Sequence, residues 1–273
     1  MPSPRRDSSA PPAPRGAPSA PAAPLVRTRG NRRTLEFAPG DIQSEMLLSR
    51  PDALVLAYLR AMMCFALFVP APRHIVMVGL GGGSLAKFCY RHFPRARITV
   101  LELRADVIAL REQFRVPPDD ARLRVLHTDA ADYLAAMPGQ ADVLLVDGFD
   151  EAGLPAALAS PAFYRDCRRA LRMGGVLAAN VFTYDPRYAG VMRDLDRGFD
   201  GRTCWFDKVA GNNRIVFALG SGGGTPGALR AARLQRRLAR WRGLGLGWLN
   251  RLAVRAVLAW IAARSVLAPP RRD

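Results

Sequence analysis

Histidine and cysteine are scarce in this chain, three and four respectively among 273 residues. His74, His92 and His127 share no metal-ligand spacing, so no metal site is expected. Cys64, Cys89, Cys167 and Cys204 lie far apart and form no C-x-x-C pair. They read as reduced, mostly buried thiols of a cytosolic protein. The early residues hold no continuous apolar stretch of the secretory-signal kind. They are Arg-rich and acid-poor, as in an organelle transit peptide, but their prolines oppose the amphipathic helix such peptides form. Residues 52–68 are strongly apolar yet include Asp52 and Arg60, too few apolar positions to cross a bilayer. A cytoplasmic location follows as the expectation.

Acidic residues are lacking at both ends. The formal net charge is +17, with +6 in residues 1–33, +10 in 220–273 and only +1 in 34–219. The near-neutral middle argues against a phosphate-tracking surface there, so no strong nucleic-acid signal attaches to the candidate catalytic domain. Four segments are expected. Residues 1–33 are Pro, Ala, Ser and Arg with too little apolar surface to offset their ordering entropy, and read as a disordered tail. Residues 34–72 form a short preamble, with a strand at Leu35-Glu36-Phe37, a turn at Pro39-Gly40-Asp41 and a buried helix over 52–68 that stops before Pro70. Residues 73–219 alternate strands and helices. Residues 220–273 are a Gly-rich linker and an Arg-rich helical extension.

In the third segment strands are expected at 74–79, 98–102, 124–127, 142–147, 175–181, 203–207 and 214–219. Helices are expected at 84–92, 105–114, 130–136, 161–172 and 187–198. Continuous apolar runs such as Val143-Leu144-Leu145-Val146 suit a parallel sheet covered on both faces. Gly211-Asn212-Asn213 reads as a hairpin that makes the last strand antiparallel. The fold class is α/β: a doubly wound, mostly parallel, seven-stranded Rossmann-like sheet of the class I methyltransferase type, with ligand at the carboxyl ends of its strands.

The stretch from His74 to Glu102 carries the most information. An apolar strand ends in Gly79-Leu80-Gly81-Gly82-Gly83, a helical segment follows, and a second β-branched run closes on Glu102. Glycines there let backbone approach a ligand, and the next helix turns its free N–H groups the same way. An acid about twenty residues on is placed to bond the two hydroxyls of a ribose. Ser84 stands where the dinucleotide fingerprint needs glycine. The spacing is G-x-G-x-G through Gly79, Gly81 and Gly83, similar to the first motif of S-adenosylmethionine-dependent transferases. The bland alternative is a tight strand-to-helix turn. Farther on, Asp147 and Asp150 flank Gly148-Phe149 at the end of an apolar strand. They could cap the next helix, or hold a cationic amine and take its proton.

Together these residues resemble the spermidine synthase family, the polyamine aminopropyltransferases, from about Leu35 to Leu219. The likeness also runs through Asp129-Ala130, Gly153, Pro161-Ala-Phe163-Tyr164 and Leu171 to Leu177. It implies that Gln43 touches the nucleoside sulfur or aminopropyl end, Glu102 the ribose, and Asp129 the adenine amino group with Ala130 beside it. It implies that Asp147 is the base and that Asp150 orients the amine. The implied donor is decarboxylated S-adenosylmethionine, the acceptor a small-molecule amine, and the assembly a homodimer. Departures are Ser84 in place of an acid after the glycines, Tyr58 without the following Gln of a Tyr-Gln pair, Asp147-Gly148-Phe149-Asp150-Glu151 for Asp-Ser-Ser-Asp-Pro, and Ala210 to Arg214 for Tyr-Pro-Ser-Gly. Two alternatives stay open: methyl transfer from ordinary S-adenosylmethionine, and a catalytically silent scaffold. The basic C-terminal helices read either as docking on a membrane surface or acidic partner, peripheral to the membrane, or as a folded extension with solvated arginines.

Overall fold

A computed structural model of the chain describes residues 23–150, 153–221 and 249–267, together with positions 233, 236 and 237. A small antiparallel sheet comes first: β1 (Leu25–Arg29), β2 (Arg32–Glu36) and β3 (Ile42–Leu47), in that order. The expected tail through residue 33 therefore gives way to a hairpin from residue 25. Arginines within the expected disordered tail find partners: Arg27 Nε meets Glu36 Oε2 at 3.3 Å, and Arg32 pairs with Glu45. Residues 1–22 lie outside the described part. The small sheet is tied to the main body by Arg33, which donates to the Gln113 carbonyl, and by Arg115, which donates to that of Leu48.

The apolar segment before Pro70 is shorter as an α-helix than expected. Helix α1 (Ala57–Met62) runs into a 3-10 turn (Met63–Leu67). The main sheet then follows with β4 (His74–Val78), β5 (Arg97–Glu102), β6 (Leu123–His127), β7 (Ala141–Val146), β8 (Leu171–Phe182), β9 (Thr203–Ala210) and β10 (Asn213–Leu219). The spatial order is β6-β5-β4-β7-β8-β10-β9. Only β10 runs antiparallel to its neighbours β8 and β9, across the two-residue turn Gly211-Asn212. The seven-stranded, mostly parallel expectation holds.

Helices α2 (Ser84–His92), α3 (Ala105–Ala109), α4 (Ala130–Ala135), α5 (Pro161–Ala170) and α6 (Tyr188–Gly198) connect the strands. Helix α3 ends five residues before the expected 114, and α5 stops at Ala170 because Leu171 turns extended and opens β8. Both faces of the sheet are buried, which explains the unbroken apolar strands. Ile75, Met77, Val143 and Leu145 join the core on one face; Val76, Val78, Leu144 and Val146 join that on the other. All four cysteines are buried, and none forms a disulfide among the described residues.

Of the expected C-terminal helical region, the structure describes α7 (Leu249–Leu267). Val254, Val257 and Ile261 bury one side of it in the core that also holds Phe65 and Phe217. Most of the expected stretch 226–248 lies outside the described residues. No helix among the described residues is long and apolar enough to cross a membrane.

Helix α7 is thus part of the folded body. Ile261, 2% exposed, is expected to lose about 2–4 kcal/mol of stability on Ile261→Ala, the usual cost of truncating a packed Ile. Urea unfolding measures it; an unchanged midpoint would mean that α7 does not pack there.

Candidate active site

Strand order reverses at β4: β5 and β6 lie to one side, β7 and β8 to the other. An open α/β sheet splits at such a point and leaves a crevice beyond the strand ends. A cavity of about 620 Å³ sits there, lined in part by Gly79, Glu102, Asp129, Asp147, Asp150 and Gln43. The sequence-predicted residues therefore come together, with one exception.

The turn after β4 is built on close approach. Gly79 has φ +90°, and a Cβ there would meet the Asp147 carbonyl oxygen at 2.4 Å. Its N–H donates to the Leu101 carbonyl at 2.9 Å. Gly81 also lines the cavity. Gly83 does not: it is the left-handed N-cap of α2, and a Cβ there would strike Val116 Cγ2 at 2.3 Å. Packing accounts for its glycine, and Gly83 is not among the residues that line the cavity.

Glu102 ends β5, is 8% exposed, and holds the crevice together. Its Oε2 accepts from the Leu80 N–H at 2.8 Å and its Oε1 from the Arg104 N–H at 2.8 Å. A charged acceptor on two backbone donors fixes the glycine loop against the β5–α3 turn. A ribose would use the remaining lone pairs. Asp129 divides its roles too. Its Oδ1 caps α4 by accepting from Ala131 N–H at 2.6 Å, while the residue lines the cavity beside Ala130. The Gln43 amide donates to Asp41 Oδ2 at 2.7 Å, at the same cavity.

Asp147 follows β7. Its Oδ2 accepts from the Tyr58 hydroxyl at 3.1 Å and its Oδ1 from the Asn180 amide at 2.9 Å. Asn180 in turn accepts from the Asn213 amide at 2.9 Å, which fixes its NH2 group toward Asp147. Burial pushes the Asp147 carboxyl up to about 6, against the pull of the Asn180 and Tyr58 hydrogen bonds. Burial and the adjacent carboxylate push the Tyr58 phenol well above its ordinary value, so it stays a neutral donor. Such a carboxylate is charged at neutral pH and yet basic enough to accept a proton. Asp150 lies at the rim, exposed, with its backbone bridged to Gly153 by bonds of 2.9 and 3.1 Å.

Tyr58 is the aromatic that stands without the Gln of the family's Tyr-Gln pair, and Asn180 and Asn213 carry no expectation from the sequence. Each reaches Asp147, directly or through one amide, from a distant element. A further wall is aromatic: Phe149 stacks on Phe182 at 4.1 Å, and Phe182 on Tyr184 at 5.2 Å, all lining the cavity. Ser84 is buried at the cavity with its Oγ unbonded among the described residues.

Fold and site together define an α/β nucleoside-site transferase architecture, and the comparisons narrow it. The spermine/spermidine synthase domain model matches residues 55–185. The polyamine aminopropyltransferase of Neisseria meningitidis serogroup A is 36% identical over 198 residues, covering 72% of this chain and 75% of that protein. A probable spermidine synthase structure from Corynebacterium glutamicum aligns with TM-score 0.63 at 21% identity, over 77% of this chain and 82% of that one. A spermidine synthase in complex with the transition-state analogue AdoDATO aligns at 0.52 and 20% identity, over 72% and 73%. At these identities the two structures speak for the fold. The chain belongs to the spermine/spermidine synthase family.

The acid limb of kcat/KM against pH should fall below about 6, where Asp147 takes up its proton. Tyr58→Phe removes a bond that favours the carboxylate, so that limb should move to higher pH, by about half a unit or more. A limb unmoved by the substitution would detach the Asp147 titration from this contact.

Proposed function

We propose that the chain transfers an aminopropyl group from decarboxylated S-adenosylmethionine to a small-molecule amine, with Asp147 as general base. The observation that carries this is the Asp147 carboxylate, held between Tyr58 and Asn180 in the cavity that Glu102 also lines. An amine with a pKa near 10 is protonated at neutral pH and has no lone pair to offer. Asp147 takes the proton. The freed nitrogen bonds to the carbon beside the sulfonium, the carbon–sulfur bond breaks, and methylthioadenosine leaves neutral.

Each wall has a part in this reading. Glu102 holds the ribose hydroxyls, Asp129 and Ala130 receive the adenine edge, and Gln43 and Asp41 border the sulfur end. Phe149, Phe182 and Tyr184 offer ring faces that attract a cationic amine, and Asp150 adds charge at the rim. Asp147→Asn keeps the shape and removes the base. It should cut turnover by about a hundredfold or more, in a coupled assay of methylthioadenosine release. An unchanged rate would refute the assignment.

Ser84 favours a second reading. A neutral hydroxyl at the cavity, unbonded among the described residues, tolerates the carboxylate of ordinary S-adenosylmethionine, and with it methyl transfer. Calorimetry with both nucleosides separates the two. The aminopropyl reading expects tighter binding of the decarboxylated form; tighter binding of the carboxylated form would overturn it.

A further inference from the structure

Helix α7 has two apolar sides. The inner one, Val254, Val257 and Ile261, is spent on the core. Opposite lie Leu252, Ala256, Ala259, Trp260 and Ala263, all exposed, at the i, i+4, i+7, i+8 and i+11 spacing of one helix face. Leu252 is 49% and Trp260 39% exposed, two of the few large apolar side chains that the described residues leave in solvent. Arginines flank the stripe: exposed Arg251 and Arg255 on one edge and Arg264 on the other. Arg264 stacks its guanidinium over the Trp260 ring at 4.8 Å and donates to the Pro70 carbonyl at 3.1 Å, so the ring is held in place against the body.

Charge chooses the occupant. The helix contains no Asp or Glu, and residues 220–273 hold eleven arginines against one acid. Exposed Arg233, Arg236 and Arg237 belong to the same excess. A second copy bringing the same charge would be repelled. Nucleic acid would match the charge but would gain little from a stripe of Leu, Trp and Ala. A surface that is anionic outside and apolar just beneath fits both. An aromatic ring beside arginines sits at that boundary, with its body in the acyl region and the cations among headgroups.

We propose that the outer face of α7 docks the protein onto an anionic lipid surface, shallowly and without spanning it. The catalytic cavity takes no part, since none of these residues lines it. The inner face is buried, so deleting the extension would strip the core and is not a clean test. Substitutions on the outer face leave that packing intact.

The experiment is co-sedimentation of the full chain with phosphatidylcholine vesicles containing a quarter phosphatidylglycerol, against pure phosphatidylcholine. Binding should be at least about tenfold stronger to the anionic vesicles and should weaken with salt. Leu252→Asp with Trp260→Asp should lower it by at least about tenfold, and Arg255→Glu should weaken it, while transferase activity and melting temperature stay as in the parent. Equal pelleting by the double variant would overturn the proposal. So would failure to bind the anionic vesicles, whether the double variant then abolished self-association in light scattering or binding to a single-stranded RNA oligomer.

Discussion

Strands β4 and β7 end so close together that one of them can carry no side chain at the point of contact. A Cβ on Gly79 would lie 2.4 Å from the carbonyl oxygen of Asp147. That approach sets where the two halves of the site meet. It puts the glycine loop, which Glu102 clamps through the Leu80 and Arg104 amides, directly beside the backbone that bears the Asp147 carboxylate. Any residue but glycine at 79 would push the loop and the carboxylate apart. With its left-handed backbone, it would also add strain of about 1–3 kcal/mol.

The chemistry of Asp147 follows from what surrounds it. Burial raises the affinity of the carboxyl for its proton. Two donors, Tyr58 and Asn180, offset part of that penalty and leave a group titrating near 6. Asn213 acts one bond farther out: by occupying the Asn180 carbonyl it leaves the amide only its donor side to present. The Asp147 carboxylate is therefore set by three elements, α1, β8 and β10, none of them near it in the chain.

This explains which parts of the site could be read in advance. Gly79, Glu102 and Asp147 sit at strand ends, and strand ends are marked locally, by an apolar run that stops at glycine or acid. Tyr58, Asn180 and Asn213 lie within helix or strand segments where an apolar pattern dominates, and nothing local marks their side chains as facing a carboxylate. Gly83 is the opposite case: a glycine required for packing against Val116 looks the same in sequence as one that meets a ligand. The hairpin β1–β2 was hidden by composition. Arg27, Arg29, Arg32 and Arg33 made it look like the tail before it, but Glu36 and Glu45 pair with Arg27 and Arg32, and Leu35 and Met46 are buried. The class of the main sheet, seven-stranded and mostly parallel, was legible because continuous apolar strands alternating with helices leave few other architectures.

The central claim is that Glu102 and Asp147 grasp opposite ends of one nucleoside across the β4 switch point. A crystal structure of the protein with methylthioadenosine tests it most directly. The account predicts ribose hydroxyls on the Glu102 carboxylate and the thioether end turned toward Asp147, with adenine against Asp129 and Ala130. A nucleoside bound elsewhere, or one whose sulfur faces away from Asp147, would contradict it.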